Sequence, residues 1–193
     1  MKKLFFETIR IENGEIKNIS YHNRRCNETR HQHFQTSHEI DLEEFINPPK
    51  KGLFRCKIIY AKNIESTNYY PYTPKIPHSF SLQYANIEYS YKYLDRSKID
   101  ALKQQSPTDD IIIVKEGLLT DTSIANIAFW YKGEWLTPAS PLLPGTTRAR
   151  LLEQRRIKEA PLTPKECKKF DKMAIMNAMI DFCILDSFII KGL

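Results

Sequence analysis

The order of apolar and polar residues divides the chain into many short strands and few helices. Residues 3–11 alternate loosely and run into Glu12-Asn13-Gly14, a tight-turn signal, after which 15–20 reads as a second strand. Residues 21–35 are polar and basic with few β-branched side chains, the pattern of a helix with a mostly wet face. A short acidic segment, 41–46, is predicted helical and stops at Pro48-Pro49. Strands follow at 53–61, around the run Ile58-Ile59-Tyr60, and at 64–70, which is placed to pair with it.

Pro71, Pro74 and Pro77 then fall close together, which forbids helix and interrupts a ladder, so this stretch reads as a linker. Beyond it, 79–91 looks extended and 97–105 helical. Residues 110–115 carry Ile-Ile-Ile-Val, the run of a buried strand. Glu116-Gly117 turns the chain, and 127–131 with 134–137 forms a hairpin through Lys132-Gly133. Residues 145–156 are predicted helical, and a short helix starts near Thr163-Pro164, an N-cap followed by proline at the first helical position. Two apolar strands, 173–179 and 182–190, close the pattern. No internal repeat is found. Strands mixed with few helices give an α+β fold in two lobes, 1–75 and 76–193.

Composition narrows the class. Hydrophobic residues make up 41% of the 193 and charged residues 27%, enough apolar content to offset ordering entropy, so a folded domain is expected rather than disorder. No apolar run approaches the roughly 20 residues that cross a bilayer. Met1-Lys2-Lys3 has the basic opening of a signal peptide, but Glu7 and Arg10 arrive before an apolar core can form, so a strand is read there. Cys26, Cys56, Cys167 and Cys183 are scattered without a C-x-x-C, which favours free thiols in a reducing compartment and predicts a cytoplasmic protein. The net charge of +6 invites a nucleic-acid reading. Arg24-Arg25, Lys50-Lys51 and the basic stretch 148–158 are not interleaved with aromatics, so solvated helix faces and small anionic ligands account for the excess and no nucleic-acid partner is expected.

Most routes to chemistry are closed. His31, His33 and His38 form the one histidine cluster, but positions two apart on a helix point to different faces, so no metal site is predicted. Neither a G-x-S-x-G elbow nor a glycine-rich phosphate loop is present. The segment Leu143-Pro144-Gly145-Thr146-Thr147-Arg148 stands out. Gly145 permits close backbone approach, and Thr146 and Thr147 open a helix whose free N–H groups suit a phosphate, although a plain N-cap has the same pattern.

Several blocks, in order, carry a resemblance. They are Phe6-Glu7-Thr8-Ile9-Arg10, His22-Asn23-Arg24-Arg25, Tyr91-Lys92-Tyr93-Leu94-Asp95-Arg96, the stretch 116–129 with Asp121 and Asn126, Leu136-Thr137-Pro138, 143–148, and Asn177-Ala178-Met179. Together they resemble the class IV, or fold-type IV, pyridoxal-phosphate enzymes. The lysine and Asn177-Ala178 blocks lean toward the aminodeoxychorismate lyase branch. The resemblance implies a two-lobed fold-type IV architecture with a reduced N-terminal lobe, since family members are longer ahead of the first block and between Arg25 and Lys92.

The chemistry implied follows from the cofactor, pyridoxal 5'-phosphate. Its aldehyde needs an amine, and the motif offers Lys92, the catalytic residue of the resemblance. Burial against aromatic neighbours would favour its neutral form. Asp121 stands where the family has glutamate toward the ring nitrogen, one methylene shorter. Arg25, Thr146 and Thr147 are the implied phosphate binders, Asn177 and Ala178 the implied lining of that side, and Thr8 a substrate-side residue. The implied activity is 4-amino-4-deoxychorismate lyase, releasing pyruvate and giving 4-aminobenzoate for folate synthesis. Branched-chain or D-amino-acid aminotransferase activity is the alternative within the family, and a non-catalytic cofactor-binding relative a further one. The expected partners are a small anionic substrate and a second copy of the chain in a homodimer, with the site between lobes near the subunit interface.

Overall fold

The computed structural model describes residues 3–192, which form two compact units. The first runs up to Pro74 and takes in Tyr91–Asp95; the second comprises Lys75–Ser90 and the chain from Arg96 onward. A single cut near residue 75 therefore differs from the structure at one segment. Tyr91–Asp95 returns to the first unit because its backbone docks beside the first strand. Phe6 N–H donates to the Lys92 carbonyl at 3.0 Å, and Leu94 N–H to the Leu4 carbonyl at 2.9 Å.

In the first unit, β1 (Phe5–Glu12), β2 (Glu15–Ile16), β3 (Leu53–Tyr60) and β4 (Ile64–Pro71) form an antiparallel sheet in the order β2-β1-β3-β4. The β1–β2 turn has positive φ at Asn13 (51°) and Gly14 (88°), the conformation that a two-residue hairpin of this twist requires. β2 is only two residues long because Asn18, at φ 54°, redirects the chain into α1 (Ile19–Phe34). Alternation sends Phe5, Ile9 and Ile11 of β1 and Cys56, Ile58 and Tyr60 of β3 into one core with Cys26 of α1. The opposite face, with Thr8, Arg10, Arg55 and Lys57, stays half-buried.

In the second unit, β5 (Ser79–Tyr84), α2 (Ser97–Gln104) and β6 (Asp110–Lys115) make a strand–helix–strand crossover with the two strands parallel. β7 (Leu118–Thr122), β8 (Asn126–Tyr131) and β9 (Glu134–Pro138) continue as an antiparallel meander. α3 (Thr146–Glu153) then leads to β10 (Lys158–Ala160), which pairs parallel to β9. Next come β11 (Lys172–Asn177), β12 (Asp181–Ile184) and β13 (Ile189–Lys191). β11 pairs with both β8 and β12, and β13 adds to β5, the far edge of the order β10-β9-β8-β7-β6-β5-β13. Phe80, Ile112, Val114, Ile127, Phe129, Met173 and Ile175 fill the core.

β7 escapes a hydrophobicity reading because Thr120, Asp121 and Thr122 are polar yet buried. Their side chains are satisfied locally, as where the Thr120 hydroxyl donates to the Ile113 carbonyl at 2.8 Å. The predicted strand 182–190 is instead two strands, broken where Leu185 N–H bonds the Met173 carbonyl and the chain leaves β11 for β5.

Candidate active site

In the first unit a carboxylate occupies a core position. Glu7 lies on the inward face of β1, fully buried, where the alternation calls for an apolar side chain. α1 supplies its partners from residues three apart on one helical face. Arg25 grips Glu7 with two donors, Nε at 2.9 Å from Oε1 and a terminal nitrogen at 2.5 Å from Oε2. His22 Nδ1 lies 2.6 Å from Glu7 Oε2. Burial by itself would raise the Glu7 pKa, but the Arg25 guanidinium, followed by the His22 hydrogen bond, holds it at about 2. Burial pushes the His22 pKa down. The neutral ring therefore donates from Nδ1 to the carboxylate, leaving Nε2 buried with no hydrogen-bond partner among the described residues.

Lys92 belongs to the same unit. Its side chain is half-buried, its ammonium lies 4.7 Å from the centre of the Phe6 ring, and its charge contributes to the lowered pKa of His22. Thr8 lies on the open sheet face, paired across the ladder with Lys57. The structure thus gathers Arg25 and Lys92 around β1.

The second unit gathers Asp121, Thr146 and Thr147. The Asp121 carboxylate accepts from the Leu143 N–H and from Asn126 Nδ2, both at 2.7 Å, and Asn126 Nδ2 also donates to the Leu143 carbonyl at 2.9 Å. These donors oppose the effect of burial, which dominates and pushes the Asp121 pKa up to about 7. Gly145 is required by this arrangement, since a Cβ there would come within 2.0 Å of Asn126 Oδ1. Gly145 is also the N-cap of α3, so no side chain caps the helix. Thr146 and Thr147 follow in its first turn, both buried, and neither hydroxyl makes a hydrogen bond among the described residues. Arg148 points elsewhere, to the Pro138 carbonyl at 2.8 Å and the Glu159 carboxylate at 2.6 Å, which fastens α3 to β9 and β10.

Asn177 and Ala178 sit at the β11–β12 turn. The Asn177 side chain is engaged there, accepting from the Met179 and Ile180 N–H groups at 2.9 and 3.1 Å and donating to the Ile124 carbonyl at 3.2 Å. No group of three or more potential metal ligands occurs among the described residues. Glu7, His22 and Asn126 stand within the motifs, but motif order assigns them no role. The signal that could have found them is a charged residue at an inward strand position, followed by histidine and arginine at helical spacing.

Comparison with known proteins identifies the family and the fold. The family model for amino-transferase class IV matches residues 58–187. The crystal structure of a protein provisionally designated a 4-amino-4-deoxychorismate lyase, from Haemophilus somnus 129PT, is similar with a TM-score of 0.84 and 34% identity, covering 93% of this chain and 97% of that one. A protein of uncharacterized function from Haemophilus influenzae is 37% identical over 181 residues, covering 90% of this chain and 96% of its own. The pyridoxal-phosphate-bound form of a hypothetical aminotransferase from Mycobacterium tuberculosis shares the fold at a TM-score of 0.81 and 16% identity, covering 99% of this chain and 82% of that one. The two-lobed fold is that of the fold-type IV enzymes, and the chain belongs to the class IV aminotransferase family of pyridoxal-phosphate-dependent enzymes.

Proposed function

We propose that the protein is a 4-amino-4-deoxychorismate lyase, converting that substrate to 4-aminobenzoate and pyruvate for folate synthesis. The observation that carries the lyase reading is the likeness to the Haemophilus somnus protein, which holds at 34% identity over nearly the full length of both chains. The donor set suits pyridoxal 5'-phosphate. Two threonines, buried as residues, open a helix that no side chain caps, as a phosphate needs, and Asp121 is a buried carboxyl surrounded mainly by neutral donors, as a ring nitrogen needs.

On this reading Thr146, Thr147 and Arg25 hold the phosphate, with Asn177 and Ala178 on that side. Glu7 and His22 fix the direction of the Arg25 guanidinium. Asp121 keeps a proton at the ring nitrogen. When bound, the cofactor supplies an electron sink for the carbon that carries the substrate nitrogen. Lys92 takes the proton from that carbon, the C–O bond to the enolpyruvyl group breaks as the ring becomes aromatic, and the leaving enolpyruvate takes up a proton in balance with the one removed, to give pyruvate. Thr8 stands on the substrate side. A homodimer is part of the proposal, and so is a cytoplasmic location.

Purified protein supplied with cofactor and aminodeoxychorismate is expected to release 4-aminobenzoate and pyruvate in equal amounts. Amino transfer to 2-oxoglutarate without 4-aminobenzoate would replace the lyase reading with the aminotransferase one.

A further inference from the structure

The open face of the first sheet presents a row of polar groups of which the proposed mechanism uses only Thr8. The register of β1, β3 and β4 sets Thr8 beside Lys57 and Lys57 beside Asn68, a hydroxyl, an ammonium and an amide on three neighbouring strands. Adjacent strands stand roughly 4.7–4.9 Å apart, a spacing one carboxylate can bridge. Alternation turns this row away from the Phe5, Ile9 and Ile11 core, so Lys57 and Thr8 are half-buried and Asn68 is exposed. The next row along the face is Arg10, Arg55 and Tyr70, with the Arg55 guanidinium 5.1 Å from the Tyr70 ring centre.

Two details mark Lys57. Its ammonium lies 5.1 Å from the centre of the same Phe6 ring that the Lys92 ammonium approaches at 4.7 Å, so the two nitrogens are no farther apart than those distances combined. In addition, Lys57 has no ion-pair partner among the described residues, whereas Lys17, Lys115 and Lys158 each pair with a glutamate and Arg10 pairs with Glu12. A half-buried cation over an aromatic face, with no carboxylate paired to it, is open to an anion. An anion at this row gains charge-assisted hydrogen bonds.

We propose that Lys57 is the specificity residue that receives a carboxylate of the substrate, with Thr8 and Asn68 as its neighbours in the row. This rests on the reading of Lys92 as the residue that works on the substrate's amine-bearing carbon. Lys57 thereby selects ring substrates that carry a carboxylate on a substituent near the amine, and Arg55, two residues along the same strand, faces a second carboxylate on the same ring.

The test compares Lys57→Met and Lys57→Arg with the parent enzyme, each loaded with cofactor and checked for its visible absorption band. Chorismate, which carries both carboxylates but a hydroxyl in place of the amine, is the calorimetric probe. Losing one charge-assisted contact is expected to weaken chorismate binding by about tenfold or more in Lys57→Met and to spare it in Lys57→Arg. KM for aminodeoxychorismate rises in parallel in Lys57→Met while kcat changes little, the pattern of lost ground-state binding. Unchanged chorismate affinity in a Lys57→Met enzyme with its visible band intact overturns the proposal, as does a parent enzyme that does not bind chorismate. The parent reading fails by a different sign, namely no visible band or no 4-aminobenzoate from the unmutated protein, and the chorismate titration does not depend on turnover.

Discussion

Glu7→Gln tests the buried ion cluster most directly. Glu7 is fully buried and its pKa falls from an ordinary 4.5 to about 2, because the Arg25 guanidinium and the His22 ring outweigh the cost of burial. A group depressed in the folded state contributes stability that is complete above the unfolded pKa and is lost as pH falls through the folded one. The shift corresponds to about 3 kcal/mol, at ~1.4 kcal/mol for each pKa unit, and the loss falls between pH 4.5 and 2. Within that window Glu7 adds up to ~1.4 kcal/mol per pH unit to the slope of unfolding free energy. Glutamine keeps the shape and removes this slope, while taking away the carboxylate that the Arg25 guanidinium grips at 14% side-chain exposure. The variant is therefore expected to be less stable at pH 7 by about 3 kcal/mol and to converge on the parent as pH approaches 2. Both tryptophans, Trp130 and Trp135, lie in the second unit, so their fluorescence follows that unit alone. Urea titrations by circular dichroism, with hydrogen exchange of the β1 amides, follow the first. Parallel stability curves for parent and variant from pH 6 to pH 3 would refute the reasoning, because they would show that Glu7 titrates normally in the folded protein.

Gly145→Ala places a methyl within 2.0 Å of an amide oxygen whose side chain is pinned to Asp121 and Leu143, so it is expected to cost roughly 1–3 kcal/mol and to weaken cofactor uptake, read by thermal melting and by the visible band. Asp121 has the opposite perturbation from Glu7. With its pKa raised from 3.8 to about 7, the folded protein holds its proton longer, and cofactor-free stability falls as pH rises between those values. Asp121→Asn is expected to flatten that fall in urea titrations of the cofactor-free protein and to weaken pyridoxal-phosphate binding by at least about tenfold. Lys92→Ala is expected to fold and to retain chorismate binding, but to lose both the visible band and 4-aminobenzoate formation. Turnover persisting in that variant would remove Lys92 from the chemistry.

How much of this was legible in the sequence differs between elements for physical reasons. β3, β6 and the hairpin at Lys132-Gly133 have apolar runs or turn residues that dictate their conformation locally, and the structure places them within a residue or two of the sequence reading. β7 did not show, because a buried strand whose polar side chains are paid for by hydrogen bonds has no apolar signature. The return of Tyr91–Asp95 to the first unit rests on long-range backbone hydrogen bonds to Leu4 and Phe6, which no local pattern encodes. The same holds for the candidate site. Arg25, Lys92, Asp121, Thr146 and Thr147 were visible through motif order, whereas the pairing of Glu7 with Arg25 and the fit of Asn126 against Gly145 exist only once strand and helix have packed.

The two buried carboxylates show why one half of this arrangement is complete in itself and the other is not. Glu7 meets a guanidinium through two hydrogen bonds and a histidine through a third, so its charge is matched inside its own unit, and two of the five Arg25 donors are committed to it. Asp121 has equal burial but receives only neutral donors within hydrogen-bond reach, from Leu143 and Asn126. The Arg148 guanidinium acts on it only as a distant charge, being held by Glu159 and the Pro138 carbonyl. A carboxyl with good hydrogen-bond geometry and no counter-ion sits near neutrality, where a bound cation can tip it fully to the anion. A protonated pyridine nitrogen is such a cation, and the gain on pairing is shared by both partners, since the carboxylate raises the basicity of the ring as the ring lowers the pKa of Asp121. Cofactor binding at this site should therefore release a proton from Asp121 or draw one onto the ring according to pH. Calorimetric titrations with pyridoxal phosphate in buffers of different ionisation enthalpy should reveal a proton count that changes through pH 7 in the parent, and a different pH dependence in Asp121→Asn. The same proton count in both proteins at every pH would mean that Asp121 does not meet the ring.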